Sequence, residues 1–129
     1  MLIRGQSMQP TLEDGELIVG LTVQGSPILE HGDLITFYPA PDSRTAYVKR
    51  VIGLPGETVE AQGDLLFVNG TSDGISRMGT GTWGPIVVPP NAVFVMGDNR
   101  TVSVDSRTFG CIPFTQICAK VIGKNMLLL

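Results

Sequence analysis

Three stretches of this chain carry residue types that can act together on a carbonyl group. The first is Ser7-Met8-Gln9-Pro10-Thr11-Leu12. A serine hydroxyl is a weak nucleophile at neutral pH and needs a base beside it. Pro10 keeps the segment out of a helix and leaves the hydroxyl and amide of Ser7 at a loop edge. An ordinary serine turn would look the same. The second stretch, Ala46-Tyr47-Val48-Lys49-Arg50-Val51-Ile52, sets Lys49 among apolar residues. Lysine is rarely buried without a reason. Burial disfavours the ammonium, by up to about 3–5 pKa units, and leaves an amine able to act as a general base. The plainer reading has Lys49 reaching outward from an edge strand while Arg50 makes the contact. The third stretch, residues 97–107, packs two aspartates, two arginines, an asparagine and two serines directly after the apolar run 93–96. Polar groups beside a core strand need partners, and Asp105 with Arg107 is the natural pair. A solvated loop is the alternative.

Other chemistries find less support. A Ser-His-Asp triad would have to use His31, the sole histidine, which precedes Gly32-Asp33 in a turn where an exposed structural role is expected. No Cys-x-x-Cys or His-Glu-x-x-His occurs, so no metal site is expected, and no cofactor. The Ser-x-x-Lys helical arrangement is absent. Cys111 and Cys118 are read as two separate half-buried thiols, with a short-loop disulfide as the alternative.

Strands must position these groups. Residues 16–23, 33–38, 45–52, 58–61, 65–68, 86–88 and 92–96 are short, apolar and β-branched, separated by glycine and proline turns. Gln62-Gly63 and Asn69-Gly70 mark tight turns. Residues 71–85, with Trp83 near their end, read as a surface loop. Residues 113–119 read as one helical turn, and 120–122 and 126–128 as the last strands. No heptad, repeat or βαβ rhythm interrupts this pattern, which predicts an all-β domain of mostly antiparallel sheets with very little helix.

With 129 residues, one domain spanning 1–129 is expected. Apolar residues make up 43% and charged residues 16%, which argues against disorder. A net charge of -3, with nine scattered cationic residues, lacks the clustered basic footprint of a nucleic-acid binder, so no nucleic-acid partner is expected. No run approaches the roughly 18 apolar residues of a membrane span, and no signal peptide is visible, so the chain itself is expected to be soluble. Both ends read as cut, because Ser7 lies so near the start and the chain stops in apolar Met126-Leu127-Leu128-Leu129; a buried final strand would account for that tail equally well.

Together, in this order, Ser-Met-x-Pro-Thr-Leu, Tyr-x-Lys-Arg-Val-Ile-Gly-Leu-Pro-Gly and Gly-Asp-Asn-Arg-x-x-Ser-x-Asp-Ser-Arg-x-x-Gly resemble the bacterial type I signal peptidases. The likeness runs from about Ile3 to Gly123, and His31-Gly32-Asp33-Leu34-Ile35 resembles the family's Gly-Asp element. Lysine rather than histidine at position 49 is similar to the Ser/Lys branch. The resemblance implies a serine endopeptidase that cleaves signal peptides from secretory preproteins after small residues, in an Ala-x-Ala-like pattern. Ser7 would be the nucleophile and Lys49 the general base. Ser103 would hydrogen-bond the lysine nitrogen, and Asp105 and Arg107 would support that loop. It further implies an extended substrate paired with strand edges, with Ile3, Met8, Leu12, Ile18, Tyr47 and Val48 as pocket walls, each of which could equally be plain core. A lipid bilayer surface would be a second partner. The natural anchored form would lie at the extracytoplasmic face of the bacterial cytoplasmic membrane, with an N-terminal anchor absent here. Only residues 51–97 separate Arg50 from Asp98, so any inserted second β-domain is minimal. Gly5 departs from relatives that carry an oxyanion-binding serine two residues before the nucleophile, which leaves the second oxyanion donor open. Two other readings compete. A LexA-like self-cleaving regulator would need a DNA-binding head and an internal scissile pair; a non-catalytic β-domain would only bind extended peptides.

Overall fold

The computed structural model describes residues 1–63, 65–72 and 81–125. In chain order these form β1 (Ile18–Thr22), β2 (Leu34–Phe37), β3 (Tyr47–Gly53), β4 (Thr58–Gln62), β5 (Leu65–Val68), β6 (Thr71–Ser72), β7 (Trp83–Val87), β8 (Ala92–Met96), the helix α1 (Ser106–Phe109), β9 (Ile112–Pro113), a 3-10 turn at Phe114–Gln116 and β10 (Ile117–Lys124). The strand pairs are antiparallel, as the alternation of short apolar runs and turns predicts. One sheet has the order β1-β10-β2-β3-β8-β9 and the other β6-β5-β4-β7.

β3 is central to the larger sheet, between β2 and β8, which is why five of its seven residues are buried. Side chains alternate along a strand. Val51, with Tyr47 packed alongside, therefore joins Ile35, Phe37, Val93 and Val95 on one face. Ile52, on the other face, meets Val59, Leu66, Val88, Phe94 and Met96, where the smaller sheet packs. Gly53 marks that junction: a Cβ there would stand 2.6 Å from Val59 Cγ2. A third cluster joins Ile3, Met8, Leu12, Ile18 and Val48 and seats the N-terminal segment on the sheet.

The structure departs from the sequence-based expectations at several places. The polar stretch 97–107 does not stay a loop throughout, because the Asp105 carboxylate accepts the Arg107 N–H and caps α1. The expected helical turn at 113–119 shrinks to Phe114–Gln116, since β10 already begins at Ile117 to pair with Phe37 of β2. The expected loop 71–85 begins and ends in strands. Thr71–Ser72 pairs with β5, and Trp83 lies in β7, stacked on Phe94 with ring centroids 5.5 Å apart. Residues 73–80 of that loop and the expected strand 126–128 lie outside the described residues. Asn69 (φ 50°) and Gly70 (φ 78°) make the anticipated tight turn. Both cysteines are free thiols.

Candidate active site

The side chains of Ser7 and Lys49 meet although 42 positions apart: the Lys49 amine lies 2.7 Å from Ser7 Oγ. β3 delivers Lys49 from the middle of the sheet, where it is only 4% exposed. The ammonium also sits 5.5 Å above the centre of the Tyr47 ring, two positions along the same strand face. Burial pulls the amine down to about 8 from an ordinary lysine value, against the attraction of Asp105 and with help from the Arg107 charge.

The register of β3 against β8 pairs Arg50 with Met96, which brings Gly97 alongside Lys49. From there the chain folds back over the nucleophile loop. The Asn99 N–H donates to the Ser7 carbonyl at 2.9 Å, and a Cβ on Gly97 would stand 2.6 Å from that same oxygen and overlap Ser103. Gly97 is therefore a packing requirement rather than a turn residue.

Asp105 is fully buried. Its carboxylate accepts from Arg107 Nε and Nη2, each at 2.8 Å, from the Gly97 N–H at 3.0 Å and from the Ser103 hydroxyl at 2.8 Å. Burial alone would push its carboxyl up, but these donors outweigh it and hold the group below the usual carboxylate range. Ser103 was expected to hold the lysine nitrogen. Instead its hydroxyl donates to Asp105, and the hydrogen bond made by Lys49 goes to Ser7. A buried carboxylate is a strong acceptor for the Ser103 O–H.

The cleft in front of Ser7 has a volume of about 310 Å³. Of the expected pocket walls, Ile3, Met8, Tyr47 and Val48 line it, whereas Leu12 and Ile18 do not. Those two are buried in the third apolar cluster without reaching the cleft, although Ile3, Met8 and Val48 of the same cluster do. Val102 and Val104, each 52% exposed, join the lining from the third stretch. Sequence reasoning quoted that stretch without assigning either valine a role.

It also assigned no role to Asp98 and Thr11, and gave Arg50 only an unspecified contact in the plainer reading. Arg50 Nε and Nη2 donate to the two oxygens of Asp98 at 2.9 and 2.7 Å, and the Thr11 hydroxyl donates to the same carboxylate. Burial would raise the Asp98 carboxyl, but Arg50 and Thr11 bring it below its ordinary value. Complementary charges in the second and third stretches were the available signal, although sequence cannot choose which cation meets which carboxylate. Among the described residues there is no His/Cys/Asp/Glu cluster able to hold a metal. No helix among them is long and apolar enough to cross a membrane.

The family model described as signal peptidase, peptidase S26 matches residues 1–125, and the chain belongs to that family. Signal peptidase I P of Bacillus subtilis subsp. natto is 43% identical over 120 aligned positions, covering 82% of this chain and 64% of the relative. Signal peptidase IB of Staphylococcus aureus strain COL is 39% identical, covering 92% of this chain and 73% of the relative. The crystal structure of a signal peptidase I from Enterococcus faecalis V583 matches with a TM-score of 0.59 at 31% identity, over 77% of this chain and 100% of that one. The chain thus spans less than two thirds of the length of the Bacillus relative.

Proposed function

We propose that this chain is a serine endopeptidase that removes signal peptides from secretory preproteins, with Ser7 as nucleophile and Lys49 as general base. The observation that carries this reading is the 2.7 Å contact between the Ser7 hydroxyl and a buried amine. With the amine near 8, an appreciable fraction is uncharged at neutral pH and can accept the hydroxyl proton. Ser7 Oγ then bonds to the scissile carbonyl carbon, its proton passes to Lys49, and the carbonyl oxygen becomes an oxyanion. Collapse breaks the C–N bond as the Lys49 ammonium returns the proton to the leaving amine. Water next attacks the acyl group, Lys49 takes a proton from it, and the C–O bond to Ser7 breaks with that proton restored to the hydroxyl.

Asp105 and Arg107 act as the frame of this pair. Their charges nearly cancel, so the lysine sees a rigid, roughly neutral wall rather than a carboxylate that would keep it protonated. Ser103 belongs to that frame through Asp105. The cleft walls of Ile3, Met8, Tyr47 and Val48 leave a small apolar space that suits side chains such as alanine on an extended peptide. Leu2, Val102 and Val104 are exposed at the cleft. An apolar rim of this kind suits a bilayer surface, where the preprotein would be met. On this reading, lipid vesicles raise the cleavage rate and Val102→Ser lowers that gain. The four-stranded sheet, which lies in sequence between β3 and β8, serves as a minimal form of the inserted β-domain.

The test is acylation. A serine-directed acylating agent should add its mass at Ser7, and Lys49→Ala should abolish the adduct and the cleavage of a peptide with alanine at the first and third positions before the cut. A folded chain that takes no adduct and cuts no such peptide would leave only a peptide-binding domain.

A further inference from the structure

With glycine at position 5, the groups that could stabilise the oxyanion are few. The Gly5 N–H is engaged, donating to Asp14 Oδ1 at 2.8 Å. The Ser7 N–H makes no hydrogen bond with any described residue. Two donors orient that N–H through the Gln6 carbonyl: the Gln9 N–H at 3.2 Å, within the loop's own turn, and the shorter bond from a side chain of the third stretch. Asn99 Nδ2 donates to the Gln6 carbonyl at 3.0 Å, and the Asn99 backbone N–H donates to the Ser7 carbonyl at 2.9 Å. The Gln6 carbonyl and the Ser7 N–H belong to one peptide unit, and in a trans peptide they point in opposite directions.

Asn99 does not border the cleft. With Gln9, Pro10, Glu13 and Asp98 it lines a separate hollow, whereas Ser7 lines the cleft. Pulling the Gln6 carbonyl toward Asn99 therefore turns the Ser7 N–H toward the cleft. The same bond draws electron density onto the Gln6 oxygen and makes the Ser7 N–H a stronger donor, since hydrogen bonds in a chain polarise one another. The Thr101 hydroxyl faces Asn99 Oδ1 at 3.5 Å, which fits this orientation of the amide. The next peptide is held as well, its carbonyl seated on the Asn99 N–H and against Gly97.

We infer that Asn99 is a positioning residue for transition-state stabilisation: by gripping the carbonyls of Gln6 and Ser7 from behind, it aims and polarises the Ser7 N–H as the oxyanion donor. The inference rests on the proposed Ser7–Lys49 chemistry. It assigns to one side chain a role that touches neither substrate nor reacting atoms. A preorganised donor acts only where negative charge develops, so the effect belongs to kcat and not to substrate binding.

The experiment compares wild type with Asn99→Ala and with the isosteric Asn99→Asp, whose carboxylate cannot donate to Gln6. Peptide cleavage is measured together with binding of the matching peptide aldehyde, which forms a tetrahedral adduct on Ser7. Both variants should lose roughly 10- to 100-fold in kcat with KM within about twofold, since a whole oxyanion donor is worth about 100- to 1,000-fold. Aldehyde affinity should fall in parallel, and the pH midpoint should stay where Lys49 sets it. Unchanged kcat and aldehyde affinity in either folded variant would overturn the inference, as would a loss confined to KM or to thermal stability. Ser7→Ala and Lys49→Ala run alongside. An inactive wild type, or an active Ser7→Ala, defeats the dyad and this inference with it. An active wild type with dead dyad variants and unaffected Asn99 variants defeats this inference alone.

Discussion

Arg50 and Asp98, 48 positions apart, are locked by two parallel hydrogen bonds of 2.9 and 2.7 Å, and this pair couples the Ser7 loop to the strand that carries Lys49. Arg50 follows Lys49 directly on β3 and also donates to the Gly32 carbonyl at 2.7 Å. Asp98 precedes Asn99 and takes the Thr11 hydroxyl from the loop that begins at Ser7. A shift of either segment would break this clamp before it separated Ser7 from Lys49. Bidentate geometry makes the clamp directional as well as attractive.

Asp98→Ala should therefore lower activity without touching either reacting group. The variant leaves the guanidinium and the Thr11 hydroxyl short of a partner, and a loss of about 2 kcal/mol in stability is expected for a pair that is only partly buried. Denaturant unfolding and peptide cleavage measure the two effects. Unchanged values in both would show that the clamp is ornamental.

The rate of cleavage should rise with pH through about 8, the value to which burial brings Lys49. The base must be unprotonated, so the activity is lost on the acidic side of that midpoint. Histidine-modifying reagents should leave it intact, because His31 is engaged elsewhere, 2.7 Å from Glu57 Oε1. A kcat/KM profile centred near 6.5, the ordinary histidine value, would contradict this assignment.

Lys49→Met should abolish cleavage and yet stabilise the fold. The folded-state value of about 8 lies below the 10.5 of an ordinary lysine in the unfolded chain. Between those values the unfolded chain binds the extra proton, so the stability of the parent rises with pH across that window. Below pH 8 the lysine is charged in both states and the full penalty applies, on the order of 3 kcal/mol from the size of the shift. The variant should thus melt higher at pH 7, with the advantage shrinking toward pH 10. A lower melting temperature at pH 7 would mean that the amine is not held against its preference.

Gly97→Ala tests the closest approach in the site. The added methyl would press on the Ser7 carbonyl, which the Asn99 N–H holds, and on Ser103, which cannot move without disturbing Asp105. Overpacking of this kind costs about 1–3 kcal/mol. Activity should fall further than stability does, because displacing Ser7 by a fraction of an ångström spoils its alignment with Lys49. Wild-type kinetics in the alanine variant would rule this packing out.

Much of the fold was legible because antiparallel strands announce themselves locally. Asn69-Gly70, the run 92–96 and the run 47–52 each carry their conformation in residue type and spacing. The ends of elements were harder to read. β10 was recognised only at 120–122, since Ile117-Cys118-Ala119 has no strand pattern of its own and is extended by pairing with β2 and β1. Helix α1 escaped notice because it is one turn held by a cap and lacks any apolar periodicity. At the site, the identities of Ser7 and Lys49 could be proposed from motif order. Leu12 lies in the same stretch as Ser7 and Met8, while Ile18 opens a strand that gives the cleft nothing, and sequence could not tell wall from core.

What residue order supplied, then, was an inventory: strand-forming runs, a serine beside a proline, a lysine in an apolar setting and a dense polar stretch. Each is a local property of a few neighbouring side chains. The pairing of those groups was decided by the register of β3 between β2 and β8 and by the return of residues 97–107 across the nucleophile loop. A contact of 2.7 Å between positions 7 and 49, the clamp of Arg50 on Asp98, and the grip of Asn99 on two carbonyls are distances between chain segments. They arise only when burial of the apolar clusters brings those segments together.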